Sequence, residues 1–320
     1  MTATKEETFT NIVGQTKAKR RLNFYLDGYN STRVLPHLMF IAPKGCGKTM
    51  MAKEMGKQLG GTVEIVDGQP KAKKFLEINC STIRNGEQFF EQIFIPAILD
   101  KDVTILFDEA HALPNDLVMA FLTIFNVEGA KTKRFEFGEN SFEFEFERQT
   151  FMFATTELDK LFPPFRDRLT ILDFEPYSKE ELGKIMSKKI SWVNFKGDVM
   201  TNIASTLRGN ARSAIKRALE IRAYCEVHNQ NDFGKDEWEK LSRLLGIMPY
   251  GINNTELQVM QILRERGACT LQMISAVTGM SRTAIQRDAE IYLLKEGFMK
   301  IDGKRWITDK GVKALEEINA

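Results

Sequence analysis

The chain has 320 residues, with 43% hydrophobic and 28% charged side chains, a size and balance that fit a soluble globular protein of two or three domains. A net charge of +2 gives no overall cationic field, so any surface for nucleic acid must be local. The N-terminal MTATKEETFTNIVGQ lacks the apolar core of a signal peptide, and no run reaches the ~18 apolar residues of a membrane span. The cysteines Cys46, Cys80, Cys225 and Cys269 form no CxxC. These features predict a cytoplasmic protein with no membrane partner and no disulfide or zinc framework.

From Phe9 to Thr170, apolar runs alternate with helical segments. LPHLMFIAP, KFLEINCS, VTILFDE and QTFMFATT read as buried strands; TMMAKEMGKQLG and NGEQFFEQIFIPAIL read as helices. Continuous apolar strands alternating with helices predict an α/β fold with a parallel sheet covered on both faces. Between the first helix and the second strand, GTVEIVDGQPKAKK is polar. It is read as an exposed insertion carrying Lys71, Lys73 and Lys74. Residues 133–149 alternate Phe135, Phe137, Phe142, Phe144 and Phe146 with polar residues around a turn at Gly138–Ser141. That pattern predicts a β-hairpin with one aromatic face, either core or a tip for a partner. From Ser178 to about Leu245 the pattern is helical, opening on a capping box of Ser178 and Glu181. MPYGINN then reads as a linker, followed by three helices and a short hairpin at 298–307 turning on Asp302-Gly303.

Two motifs define a nucleotide site. Ala42-Pro43-Lys44-Gly45-Cys46-Gly47-Lys48-Thr49 joins a strand to a helix. Its glycines let backbone N–H groups curl around phosphates, and the helix N-terminus favours anionic charge. Lys48 is placed to reach the β- and γ-phosphates of ATP, and Thr49 to ligate Mg²⁺. About 60 residues later, an apolar strand ends in Asp108-Glu109. Asp108 is expected to hold Mg²⁺ through water, and Glu109 to polarise the attacking water. A water-activating glutamate separates the chain from nucleotide kinases, whose bound acceptor replaces water.

With these motifs, FTNIVGQTKAKRRL, LPHLMFIAPKGCGKT, ILFDEAHAL and FATTELDKLFPPFRDRL resemble RuvB-type Holliday-junction branch-migration AAA+ ATPases, in order and spacing to the C-terminus. The resemblance implies that Thr156 is sensor 1 and that Arg168 is an arginine finger donated to a neighbouring subunit, with Arg166 as runner-up. It also implies that Arg212 is sensor 2 and that Ile12 and Val13 lie near the adenine. It places the 133–149 hairpin where RuvB meets its junction-binding partner, RuvA. Several positions depart from the family: Ala42 replaces Gly, Ala211 replaces Pro, and Glu157 stands where Arg is frequent. The hairpin carries an unusual set of five Phe. The departures point to a divergent relative of the kind a phage or mobile element carries.

At the C-terminus, TLQMISAVTG and SRTAIQRDAEIYLL form a helix-turn-helix, and the hairpin after it makes a winged helix. Arg282, Gln286 and Arg287 on the second helix, and Lys300, Lys304 and Arg305 around the wing, suit phosphate contacts to DNA. Trp306 is assigned to wing packing.

The predicted architecture is therefore an AAA+ ATPase domain (1–176), a helical lid (177–248) and a winged helix (249–320). The predicted function is that of an ATP- and Mg²⁺-dependent homo-oligomeric ring, hexameric by resemblance, that translocates or remodels double-stranded or branched DNA. A helicase or clamp loader and an ATP-switched winged-helix regulator are the alternatives.

Overall fold

Helix α1 (Thr16–Thr32) leads to strand β1 (Leu38–Ile41), and the phosphate-loop motif joins β1 to α2 (Lys48–Gly60). β2 (Val63–Val66) and β3 (Gln69–Ala72) form an antiparallel pair before β4 (Lys74–Asn79). Next, α3 (Gly86–Phe89) and α4 (Ile95–Ala97) flank a π-helical turn at Phe90–Phe94, inside what the sequence reads as one regular helix. β5 (Val103–Asp108), α5 (Asn115–Ile124), the paired β6 (Thr132–Phe137) and β7 (Asn140–Glu145), β8 (Gln149–Thr155), α6 (Pro163–Arg166) and β9 (Thr170–Asp173) follow.

This is a computed structural model. It describes the backbone of residues 8–60, 63–66, 69–125, 132–137, 140–145 and 149–319, and the side chains of 8–60, 73–125 and 149–319. It divides into two compact units, Met1–Tyr177 and Ser178–Ala320.

The first unit is built on a five-stranded sheet in the order β4-β5-β8-β1-β9, with every neighbouring pair parallel. Alternate residues of each strand enter opposite apolar layers. Phe151 and Phe153 pack with Phe107, Phe121 and Phe165 on one face; Met152 and Ala154 pack with Phe40, Met51 and Leu106 on the other. Covering on both faces explains why the strands read as unbroken apolar runs. His37, ahead of β1, is half-buried, with its Nδ1 out of solvent and its ring centroid 4.0 Å from that of Phe125. Burial pulls its pKa down to about 4, so the imidazole is neutral at physiological pH.

Two expectations are corrected here. Lys73 is not exposed: its ammonium is buried 3.1 Å from Asp102 and 5.5 Å from the ring centroid of Tyr29. The ion pair anchors the start of β4. Lys71 lies outside the described side chains. The aromatic hairpin ends before residue 149, because Gln149 belongs to the central sheet and its buried amide donates to the Lys101 carbonyl at 3.0 Å. The β6–β7 register sets Phe135 opposite Phe142 and Lys133 opposite Phe144, so positions 135, 137, 142 and 144 share one face of the ladder. Phe146 falls outside the described residues.

The second unit opens with α7 (Lys179–Lys189), whose N-cap Ser178 and Glu181 form the capping box read from the sequence. α8 (Val199–Ser205), α9 (Ala211–Val227) and α10 (Lys235–Leu244) follow, tied by a two-residue parallel pair, β10 (Asn194–Phe195) with β11 (Asp232–Phe233), that interrupts the expected all-helical run. After a turn at Pro249–Gly251 come α11 (Asn254–Arg266), α12 (Leu271–Thr278), α13 (Arg282–Ile285), a π-helical turn (Gln286–Glu290) and α14 (Ile291–Lys295). The wing, β12 (Met299–Asp302) and β13 (Lys304–Ile307), turns on Gly303 at φ 62°, and α15 (Asp309–Asn319) closes the chain. Val259, Leu263, Ile274, Ile285, Leu293 and Phe298 form the core of the winged helix. No described helix is long and apolar enough to cross a membrane.

Candidate functional site

The carboxyl ends of β1, β5 and β8 lie side by side, with Ile41 beside Thr155 and Asp108 beside Ala154. Parallel sheets gather their ligand loops at this edge. In the loop after β1, Gly45 and Gly47 have φ of +83° and +91°, and a Cβ on Gly47 would stand 2.8 Å from the Tyr177 hydroxyl oxygen. Only glycine meets both demands, and the resulting curl suits a phosphate chain. Ala42 is buried outside the left-handed positions, which explains why a methyl is tolerated there. Lys48 is buried, its ammonium donating to the carbonyls of Ala42 at 2.8 Å and Pro43 at 3.4 Å. Pro43 and Lys44 are exposed beside it, while Cys46 is packed with Phe9, Ile12 and Leu22.

Thr49 Oγ1 donates to Asp108 Oδ2 at 2.9 Å, and Asp108 Oδ1 accepts from the Glu109 amide at 3.0 Å. The hydroxyl and carboxylate expected to share a divalent cation therefore already meet, and this oxygen pair fits Mg²⁺. Glu109 is held at φ 56°, ψ 47°, a left-handed conformation that costs a non-glycine residue of order 1 kcal/mol or more. Burial first and then the charges of Asp108 and Glu109 push the Cys80 thiol well above its ordinary pKa, so it stays neutral.

Sequence reasoning missed how the carboxyl end of β8 is braced. Thr155, fully buried, shares a hydrogen bond with His111 Nδ1 at 3.0 Å and accepts from the Glu157 amide at 3.0 Å. His111 Nε2 lies 3.0 Å from Glu157 Oε2, and Nδ1 lies 3.6 Å from Glu109 Oε2. Glu157 thus holds the histidine that stands beside the Glu109 carboxylate. Thr156, just past β8, is left partly exposed at the same edge.

Gln15 was also missed. Its amide donates to the Glu175 carbonyl at 2.7 Å and reaches the Cys46 carbonyl at 3.5 Å, clamping the Ile12–Val13 segment to the phosphate loop. Ile12 is buried and Val13 half-buried.

Arg168 lies elsewhere. It precedes β9, whose Thr170 pairs with Leu38 at the opposite end of the sheet from the phosphate loop. Four residues of strand, roughly 13 Å, separate the two edges. Arg168 Nη1 donates to the Pro164 carbonyl at 2.8 Å, while its buried Nε has no partner among the described residues. Arg166 is half-buried nearby in sequence. Arg212 is in the second unit, exposed in the first turn of α9, whose N-cap Asn210 accepts from the Ser213 amide at 3.1 Å. Ala211 occupies the first helical position, the one interior site where proline and alanine are interchangeable.

In the winged helix, Arg282, Gln286, Lys300 and Lys304 are exposed. Arg287 is exposed but forms a bidentate pair with Asp288 at 2.7 and 2.8 Å. Arg305 is engaged within the fold: its Nε donates at 2.7 Å to Glu290, whose side chain is 5% exposed, and its backbone bridges to Cys269. It holds the wing to the helix-turn-helix and is withdrawn from the phosphate-contact set. Trp306 is not packed into the wing as expected; it is 41% exposed, opposite Lys300 in the ladder.

This sheet order, phosphate loop and paired carboxylates define a P-loop ATPase of the AAA+ class. Residues 38–177 match the ATPase family associated with various cellular activities, and residues 249–316 match the RuvB C-terminal winged helix domain. The Holliday junction branch migration complex subunit RuvB of Mycoplasma genitalium is 26% identical over 318 residues, covering 96% of each chain. That of Clostridium kluyveri is 25% identical over 307 residues, covering 92% of this chain and 82% of its own. The solved structure of the Thermotoga maritima RuvB Holliday junction branch migration motor superposes with a TM-score of 0.73 at 21% identity, covering 98% of both chains. The chain is thus similar to the RuvB-type AAA+ ATPases along nearly its whole length.

Proposed function

We propose that the chain is the subunit of a homo-oligomeric ring, hexameric like the ring its resemblance implies, that hydrolyses ATP to translocate or remodel double-stranded or branched DNA. One observation carries the reading: a phosphate-loop edge, with Thr49 on Asp108 and Glu109 beside it, shares a chain with a stretch matching the RuvB C-terminal winged helix domain. Three functional domains, 1–176, 177–248 and 249–320, divide the work.

In this reading the backbone N–H groups of residues 43–48 and the Lys48 ammonium bind the phosphates, and Ile12 and Val13 flank the base. Thr49 and Asp108 would hold Mg²⁺, which when bound neutralises phosphate charge. Glu109 orients the attacking water and accepts its proton. Thr156 contacts the γ-phosphate and Arg212 closes over the nucleotide. Arg168, on the far edge of its own sheet, is suited to serve the neighbouring subunit. Arg282, Gln286, Lys300 and Lys304 meet DNA phosphates, which position a protein without reading sequence. The β6–β7 hairpin is the place for a junction-binding protein, as the resemblance implies.

Phosphate release measured without DNA and with duplex, single-stranded and four-way DNA tests the reading. Stimulation by duplex or four-way DNA is expected. Turnover indifferent to every DNA would remove the motor and leave an ATPase of another purpose.

A further inference from the structure

The segment MPYGINN, read from the sequence as a linker, is built as a locked joint. Gly251 (φ +66°) lies so close to the backbone of Thr206 that a Cβ there would stand 2.3 Å from the Thr206 carbonyl oxygen. Tyr250 is held at φ 58°, and its hydroxyl donates to Glu317 at 2.7 Å. Its carbonyl accepts from the Tyr292 hydroxyl. These contacts fix the turn between the helical segment and the winged helix from both sides.

At the centre sits Arg208, itself in a left-handed conformation at φ 54°. Its Nη1 donates to Glu256 Oε1 at 2.9 Å, and its Nη2 donates to Glu256 Oε2 and to the Gly251 carbonyl. The guanidinium lies 3.5 Å from the centroid of the Tyr292 ring. Glu256 is 1% exposed and also completes the capping box of α11 through the Asn253 amide at 2.9 Å. One side chain from the loop before α9 thus grips the first turn of α11, the linker backbone and α14. A buried carboxylate paired bidentately and a stacked guanidinium hold orientation more firmly than apolar contact does. Arg208 stands two residues before the N-cap of α9 and four before Arg212.

We infer that Arg208 is a positioning residue that couples the winged helix to the first turn of α9, so that DNA on the winged helix and nucleotide at Arg212 bias each other's binding. The inference rests on the proposed reading of Arg212 and of the winged helix. Coupling of two binding sites is reciprocal, so it is measurable as the change that one ligand makes in the affinity for the other.

The test is fluorescence anisotropy of a labelled duplex, titrated with full-length protein with and without Mg²⁺ and adenylyl imidodiphosphate. For the wild type the nucleotide should change duplex affinity by about fivefold or more, a usual size for linked sites. In Arg208→Ala and in Glu256→Gln the ratio should fall to within about twofold of unity, while affinity for each ligand alone changes little. Arg208→Lys, which keeps the charge but not the fork, should restore part of it. A merely structural role would lower the melting temperature and leave the ratio unchanged. Glu256→Gln keeps volume and capping geometry and so carries the test if Arg208→Ala fails to fold. A wild-type ratio retained in the folded variants overturns the inference alone, as does a wild-type ratio of one with tight duplex binding. A wild type that binds no duplex overturns the DNA reading, and the inference with it.

Discussion

Thr49 Oγ1 and Asp108 Oδ2, from a helix and a strand 59 residues apart, meet at 2.9 Å at the carboxyl edge of the sheet. The contact joins the phosphate loop to the strand that carries Glu109. In the proposed reading, Lys48 grips phosphate and Glu109 activates water. Lys48→Ala is expected to abolish nucleotide binding, whereas Glu109→Gln should bind normally and release phosphate at under about a hundredth of the wild-type rate. Equilibrium binding of a fluorescent ATP analogue beside a phosphate-release assay separates the two. Normal turnover in Glu109→Gln would move the water-activating role to another residue.

Arg168→Ala should fold and bind ATP yet lose of order 10³-fold in turnover, the scale of arginine fingers. Because Arg168 precedes the strand end opposite its own phosphate loop, the loss should be felt by the neighbour. Mixed with wild type, the variant should depress activity more steeply than its mole fraction. Strictly proportional activity would place the arginine's work within one subunit.

The wing separates two roles for basic residues. Replacing the exposed Lys300 and Lys304 with alanine should weaken binding equally on unrelated duplexes and flatten the log–log salt slope by about 0.9 per lost contact. Arg305→Ala should instead lower thermal stability, by about 3 kcal/mol or more, because it strands the buried Glu290 carboxylate. Calorimetry together with salt-dependent anisotropy reads both. A stable Arg305→Ala with a flattened slope would reverse the assignment.

The phosphate loop and the carboxylates at the strand end were legible because their signals are local. A strand, a glycine loop and a helix are contiguous, and a strand end carries its carboxylates wherever it packs. The parallel sheet was legible for a related reason: strands buried on both faces leave unbroken apolar runs. What stayed hidden was pairing across the fold. Nothing in the sequence joins Arg305 to Glu290, Lys73 to Asp102 or Arg208 to Glu256, because a salt bridge leaves no periodic trace. Gln15 was invisible for the same reason, its partner Glu175 being distant in sequence. Trp306 misled because an aromatic in a strand usually packs, and only the ladder register shows it beside Lys300 on an open face.

His37 gives a pH dependence with a definite sign. Its pKa is about 4 when folded, against an ordinary 6.5, because burial penalises the charged ring. Between those values the unfolded chain binds a proton that the folded chain refuses. The stability is therefore complete above pH 6.5 and is lost as pH falls towards 4, by roughly 3 kcal/mol in all. His37→Phe, which keeps a ring against Phe125, should reduce the difference between urea midpoints at pH 7.5 and pH 4.5. Identical acid sensitivity in the two proteins would show that other groups set it.

The most direct test of a DNA motor is movement. A third strand annealed to a duplex reports translocation when it is displaced, and the assay needs no junction. With ATP and Mg²⁺ the wild type is expected to displace it, with a delay that lengthens with the duplex between entry and triplex. Glu109→Gln should bind the same DNA and displace nothing. Displacement absent from the wild type while DNA-stimulated hydrolysis proceeds, or equal displacement by Glu109→Gln, would contradict the account.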